Sequence, residues 1–174
     1  MIRGMNHAVL FVRDADRTAR FYEENLGFKD AFPTVPPGAR FLRAPASTND
    51  HDLGLFTIGE AAGASAAGRS TVGLYHISWE VETLGDMQEI AQRLTAANAL
   101  VGASDHSTTK ALYAHDPDGL EFEVTWVVPD ELLDESTRSG AAGIKPLDLA
   151  KEILRYGANT PGGGRITRLP AVVR

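Results

Sequence analysis

The feature that most constrains this chain is an internal duplication. Residues 6–12, NHAVLFV, form a short apolar run that stops at Arg13-Asp14 and reads as a strand. Asp14 then caps a helix over 15–26. Ala15, Ala19, Tyr22 and Leu26 share its apolar face, and Gly27 stands where a helix C-terminal glycine belongs. Extended pieces follow at 28–32, 39–44 and 52–58, with a VPPG turn after the first. Residues 74–81, LYHISWEV, begin the series again. Thr83-Leu84-Gly85-Asp86 is a capping box with Asp in place of Glu. Leu84, Met87, Ile90, Ala91 and Leu94 mark the buried face of a helix that ends near Asn98. Extended pieces follow at 100–103, 110–115 and 120–127, the last two joined by an Asp116-Pro117-Asp118-Gly119 turn. Superposing the repeats lays His7 on His76 and Leu55 on Glu123. A strand–helix–strand–strand–strand unit buries one sheet face under its helix and leaves the other to pair with its twin.

The duplication sets the expected domain organisation. Residues 1–128 form one domain, with module 1 over about 5–58, a small-residue linker over 59–71 (GEAAGASAAGRST) and module 2 over about 72–128. Residues 129–174 form an extension with one helix. Pro146 is expected in that helix's first turn, and Leu149, Ile153, Leu154 and Tyr156 on its apolar side. The stretch TPGGGR breaks it, leaving the tail after Gly157 as an arm, a lid or a loose end.

Composition narrows the chemistry. The chain has no cysteine, which excludes disulfides, thiolate zinc sites, iron–sulfur clusters and a cysteine nucleophile. A net charge of −6 disfavours nucleic acid and anionic membranes as partners. No apolar run reaches the roughly 20 residues of a membrane span. The N-terminus lacks a small-residue cleavage site, so a cytoplasmic protein is expected.

Strand alternation sorts the side chains. His76, Ser78 and Glu80 share one face of LYHISWEV, and Glu121, Glu123 and Thr125 share one face of LEFEVTW. The apolar faces belong under the helices, so His76 and Glu123 are expected to line the concavity between the modules. Two imidazoles and a carboxylate on a concave surface suit a divalent iron, manganese or similar ion with open positions. The same side chains also suit a hydrogen-bonded, solvated strand surface. His51 fits a rim position best, His115 an exposed turn, and Trp79 the core.

NHAVLFVRDADRTARFYEENLGF resembles the opening of the vicinal oxygen chelate superfamily, which includes glyoxalase I, bleomycin-resistance proteins, fosfomycin-resistance transferases and extradiol ring-cleaving dioxygenases. The resemblance covers about the first three-quarters of the chain. It implies an α+β fold of two βαβββ modules forming one half-open mixed sheet around a metal site, helices outside. It implies metal ligands at His7, His76 and Glu123. DHSTTKALYAHDPDGLEFEV is similar to the C-terminal signature of type I extradiol dioxygenases, carried by His106, Leu112, Tyr113, Asp116, Pro117, Gly119 and Glu123. That resemblance implies His106 as active-site acid/base, Tyr113 as a hydrogen-bonding partner, and Fe(II), with Mn(II) or another divalent metal as substitutes. It implies a small aromatic diol and O2 as substrates, and a homodimer. Glyoxalases and epimerases of the superfamily usually add a fourth ligand from module 1, where Leu55 is expected. Thiol transferases share the two-His, one-Glu set, and metal-free drug-binding proteins generally lack it.

Overall fold

The computed structural model describes residues 1–2, 4–138 and 144–163. The chain divides into two compact units. Unit 1 is Met1–Gly73 with the turn His115–Leu120, and unit 2 is Leu74–Ala114 with the described residues from Glu121 on.

Unit 1 contains β1 (Ala8–Val12), α1 (Ala15–Leu26), β2 (Lys29–Asp30), β3 (Ala39–Arg43) and β4 (Leu53–Thr57). The sheet order is β1-β4-β3-β2, with β1 parallel to β4 and the other pairs antiparallel. Leu10, Val12, Leu42, Leu53 and Leu55 project to the helix side and are buried with Ala15, Ala19 and Tyr22. Each such aliphatic side chain removed from water contributes about 1.5–3 kcal/mol. The helix begins where expected because the Asp14 carboxylate accepts the Asp16 and Arg17 amides. It ends at Gly27, whose φ of +80° closes the helix at no side-chain cost.

The His115–Leu120 turn is held by two carboxylates. Asp116 Oδ1 accepts the amides of Asp118 and Leu120 at 2.9 Å. The Asp118 carboxylate, 8% exposed, accepts from Arg13 Nη1 at 2.9 Å and from Arg17 Nη2 at 2.7 Å.

Unit 2 repeats the topology in β5 (Ile77–Glu80), α2 (Leu84–Ala96), β6 (Leu100–Asp105), β7 (Thr109–His115) and β8 (Glu121–Val127). The Thr83–Asp86 capping box forms in both directions. Leu84, Met87, Ile90 and Leu94 are buried with Phe122, Val124 and Trp126. After β8 come a 3-10 turn (Asp130–Leu132), α3 (Glu135–Arg138), β9 (Lys145–Pro146) and α4 (Leu149–Tyr156). The strand order is β5-β8-β7-β6-β9, so the extension adds a fifth strand to the edge that β6 offers. The α+β architecture is thus built as two mixed sheets, one per unit.

Three expectations are corrected. Pro146 lies in β9 instead of opening the helix. An edge strand tolerates its missing N–H, and Asp148 caps α4 instead, accepting the Lys151 amide at 3.0 Å. Leu154 is exposed, because α4 buries Glu152 and Tyr156, which lie one helical turn apart. Leu55 is not the counterpart of Glu123. Val9 pairs with Gly54 as Ser78 pairs with Glu123, so Gly54 holds the equivalent place and Leu55 points under the helix. The tail expected after Gly157 is ordered against unit 2 through Gly163, and 164–174 lie outside the described residues. No helix among the described residues is long and apolar enough to cross a membrane.

Candidate functional site

Unit 2 concentrates the polar chemistry on the sheet face away from α2. His76, just ahead of β5, stands beside two carboxylates of β8. Its Nε2 is 3.5 Å from Glu123 Oε2, and its Nδ1 is 3.6 Å from Glu121 Oε1. Sequence reasoning did not single out Glu121, although alternation puts it on this face. Both approaches are at ion-pair distance, longer than a hydrogen bond.

The turn between β6 and β7 brings His106 to the same unit. Its Nε2 is 3.0 Å from Tyr113 Oη on β7. The Tyr113 ring lies 5.9 Å from the His76 ring, centroid to centroid. Burial, then the charge and hydrogen bond of Glu123, push the Tyr113 hydroxyl up to about 12. It therefore stays a neutral phenol throughout the physiological range. His106, Tyr113 and Glu123 line a cleft of about 520 Å³ in unit 2 together with Ser78, Glu80, Thr108, Thr109, Thr125 and Val127, and His76 stands beside Glu123 outside that lining. Four of the five expected site residues, His76, His106, Tyr113 and Glu123, thus gather on one unit.

His7 belongs to unit 1 and is exposed ahead of β1. Its ring stacks on His51 at 4.4 Å, and its Nδ1 is 2.7 Å from Asn6 Oδ1. His51 is not a simple rim residue. It packs against Phe41 at 5.2 Å and Phe32 at 5.8 Å, with its Nδ1 3.1 Å from Asp50 Oδ1. His115 is exposed, as the turn position implies.

The donor set is compatible with a divalent metal. His76 Nε2 and Glu123 Oε2 are close enough to serve one ion as neighbouring ligands, since metal–donor bonds near 2 Å place adjacent donors roughly 3 Å apart. Among the described residues, no three His, Asp or Glu side chains converge as a ready-made cage. Glu121 and Glu123 face opposite nitrogens of His76, so these three cannot point at one ion together.

A family model of the glyoxalase/bleomycin resistance protein/dioxygenase superfamily matches residues 4–124. Among solved structures, a glyoxylase/bleomycin resistance protein/dioxygenase domain from Frankia sp. EAN1pec is 24% identical, with a TM-score of 0.60 over 73% of this chain and 93% of its own. A lactoylglutathione lyase from Agrobacterium tumefaciens is 20% identical, with a TM-score of 0.51 over 71% and 93%. The fosfomycin resistance protein FosX from Listeria monocytogenes, solved with Mn(II) and sulfate, is 18% identical, with a TM-score of 0.51 over 72% and 93%. These likenesses concern the fold. No curated protein matches the sequence.

Proposed function

The chain belongs to the glyoxalase/bleomycin resistance protein/dioxygenase superfamily, and on that premise we propose that it is a metal-dependent extradiol dioxygenase, opening a catechol-type ring with O2. The observation that carries the reading is the His106–Tyr113 contact beside the His76–Glu123 pair. In this proposal His7, His76 and Glu123 hold a divalent ion, Fe(II) first and Mn(II) second. The FosX neighbour solved with Mn(II) supports a divalent metal on this fold. Bound there, the ion would lower the pKa of a chelated diol hydroxyl and link ring electrons to dioxygen.

The protein's own groups do the rest. His106 Nε2 takes a proton from the diol and later returns one, a role that suits an imidazole at neutral pH. Tyr113, kept as a phenol, has one proton: given to Glu123, it leaves the oxygen to accept from a His106 Nε2–H, and turned to His106, it donates to an unprotonated Nε2. Glu121 places a carboxylate 3.6 Å from His76 Nδ1, the side of the ring away from Glu123. Gly54 supplies no side chain at the place equivalent to Glu123, which counts against a four-ligand glyoxalase or epimerase. A homodimer belongs to the proposal as well. It is supported by Val9 and Phe11, 50% and 72% exposed on the open face of unit 1, and sedimentation tests it.

The functional test is anaerobic purification, Fe(II) loading and a catechol panel read by oxygen uptake and yellow ring-opened product. Oxygen consumed in step with product supports the proposal. Metal retained without oxygen uptake assigns the protein to another metalloenzyme class of the superfamily. Failure to bind metal leaves a metal-free binding protein.

A further inference from the structure

The C-terminal extension contacts the segment that carries His106 from two directions. β9 pairs with the end of β6, Ser104 opposite Pro146 and Asp105 opposite Lys145. Helix α4 reaches the same segment through a buried ion cluster. Lys110, 1% exposed, sets its Nζ 2.6 Å from Asp105 Oδ1, 3.3 Å from the Ser107 carbonyl and 3.0 Å from Glu152 Oε2 on α4. The same ammonium lies 5.7 Å from the centre of the Tyr156 ring, and that ring packs on Trp126 at 5.4 Å.

The contacts of Lys110 bracket His106. Asp105 precedes it and Ser107 follows it, and one ammonium holds both. Asp105 Oδ1 also accepts the Ser107 amide at 2.8 Å. Ser107 sits at φ +66°, a conformation that a side chain disfavours and that surrounding contacts must maintain. The His106 amide donates to Thr109 and its carbonyl accepts from Thr108, which closes the turn. A buried lysine without its carboxylates is strongly unfavourable, so this cluster forms completely or the segment rearranges.

We propose that Lys110, neutralised by Asp105 and Glu152, is a positioning residue for His106, and that the extension presets the imidazole against Tyr113. The inference rests on the proposed role of His106 in proton transfer. None of the three residues touches the ring itself. They fix the backbone on either side of it, and a misplacement of about 1 Å costs on the order of a hundredfold in rate.

The test uses the full-length protein and the variants Glu152→Gln and Lys110→Met, with 15N-labelled histidine. The His106 ring resonances are assigned by their loss in His106→Asn. In the folded variants these resonances are expected to shift and broaden, without metal or substrate present. With Fe(II) and a turned-over catechol, kcat is expected to fall tenfold to a hundredfold while KM and metal content stay within about twofold. Unchanged His106 resonances in a folded variant overturn the proposal, as does unchanged kcat. If Lys110→Met does not fold, Glu152→Gln decides, because it keeps the side-chain shape and removes one charge. If the wild type turns over no catechol, the dioxygenase reading fails, and the resonances still decide whether the cluster positions His106.

Discussion

The two units share a topology and differ in their open sheet faces. In unit 1 that face carries Val9, Phe11, Phe41 and Phe56, with Val9 and Phe41 packed so closely over Gly54 that a Cβ there would come within 3.3 Å of Val9. In unit 2 the equivalent face carries His76, Ser78, Glu80, Glu123 and Thr125. The helix-side faces are alike, with Leu53 and Leu55 in one unit answered by Phe122 and Val124 in the other. Packing under a helix imposes one chemistry on both copies, whereas the open face is constrained only by what meets it. Apolar and aromatic groups therefore dominate in one copy, where His7 and His51 meet beside Phe41, and the carboxylates and hydroxyls gather in the other.

That contrast breaks most readily at His106. If unit 2 carries the chemistry, His106→Asn is expected to lower kcat by about 10²–10⁴ with metal content unchanged. Phe11→Ser in unit 1 is expected to leave turnover of the same enzyme within a few-fold. Steady-state kinetics on a responsive catechol compare the two.

Stability should divide by face in the same way. Leu55→Ala, at a fully buried position, is expected to cost about 2–5 kcal/mol in urea unfolding. Phe11→Ala, at a position 72% exposed, is expected to cost under about 1 kcal/mol. That small loss is expected of the monomer; in the proposed homodimer the same substitution is expected to weaken association, so a loss that grows with protein concentration would show the open face of unit 1 covered in solution. A smaller effect is expected at the turn. Asp118→Ala removes the shared partner of Arg13 and Arg17, both partly exposed, and is expected to cost about 1–2 kcal/mol, less at high salt.

The smallest effect is a pH dependence confined to the alkaline limb. Tyr113 holds its proton up to about 12 in the folded state, against 10.0 for an ordinary tyrosine. The folded protein thus binds more protons than the unfolded chain between those values. The stability that Tyr113 contributes is complete below pH 10 and disappears as pH rises toward 12. Chemical unfolding of the wild type and Tyr113→Phe over pH 9–12 should show a difference that shrinks across this window.

Much of this was legible in the sequence because the signals were local. Helix α1 runs over Ala15–Leu26 as read, since Asp14 and Gly27 mark its ends by backbone chemistry. The Thr83–Asp86 box and the Asp116–Gly119 turn are equally local. Strand alternation correctly put His76 and Glu123 on one face. The Leu55 register was missed by one residue because repeat superposition rests on composition, while register depends on pairing between strands distant in sequence. Glu152 was invisible for a related reason. A carboxylate in a helix reads as surface, and only the fold brings Lys110 beneath it. The fifth strand depended likewise on an edge that β6 offers only after folding.

The proposed function stands or falls with the proposal that His7, His76 and Glu123 hold one ion. It is tested most directly by the metal content of the wild type and of His7→Ala, His76→Ala and Glu123→Ala, each loaded with Fe(II) without air and desalted. The wild type is expected to retain about one ion per chain, and each variant well under half of that. Full metal retention in His7→Ala would contradict the three-ligand assignment, and full retention in all three variants would contradict the metal site itself.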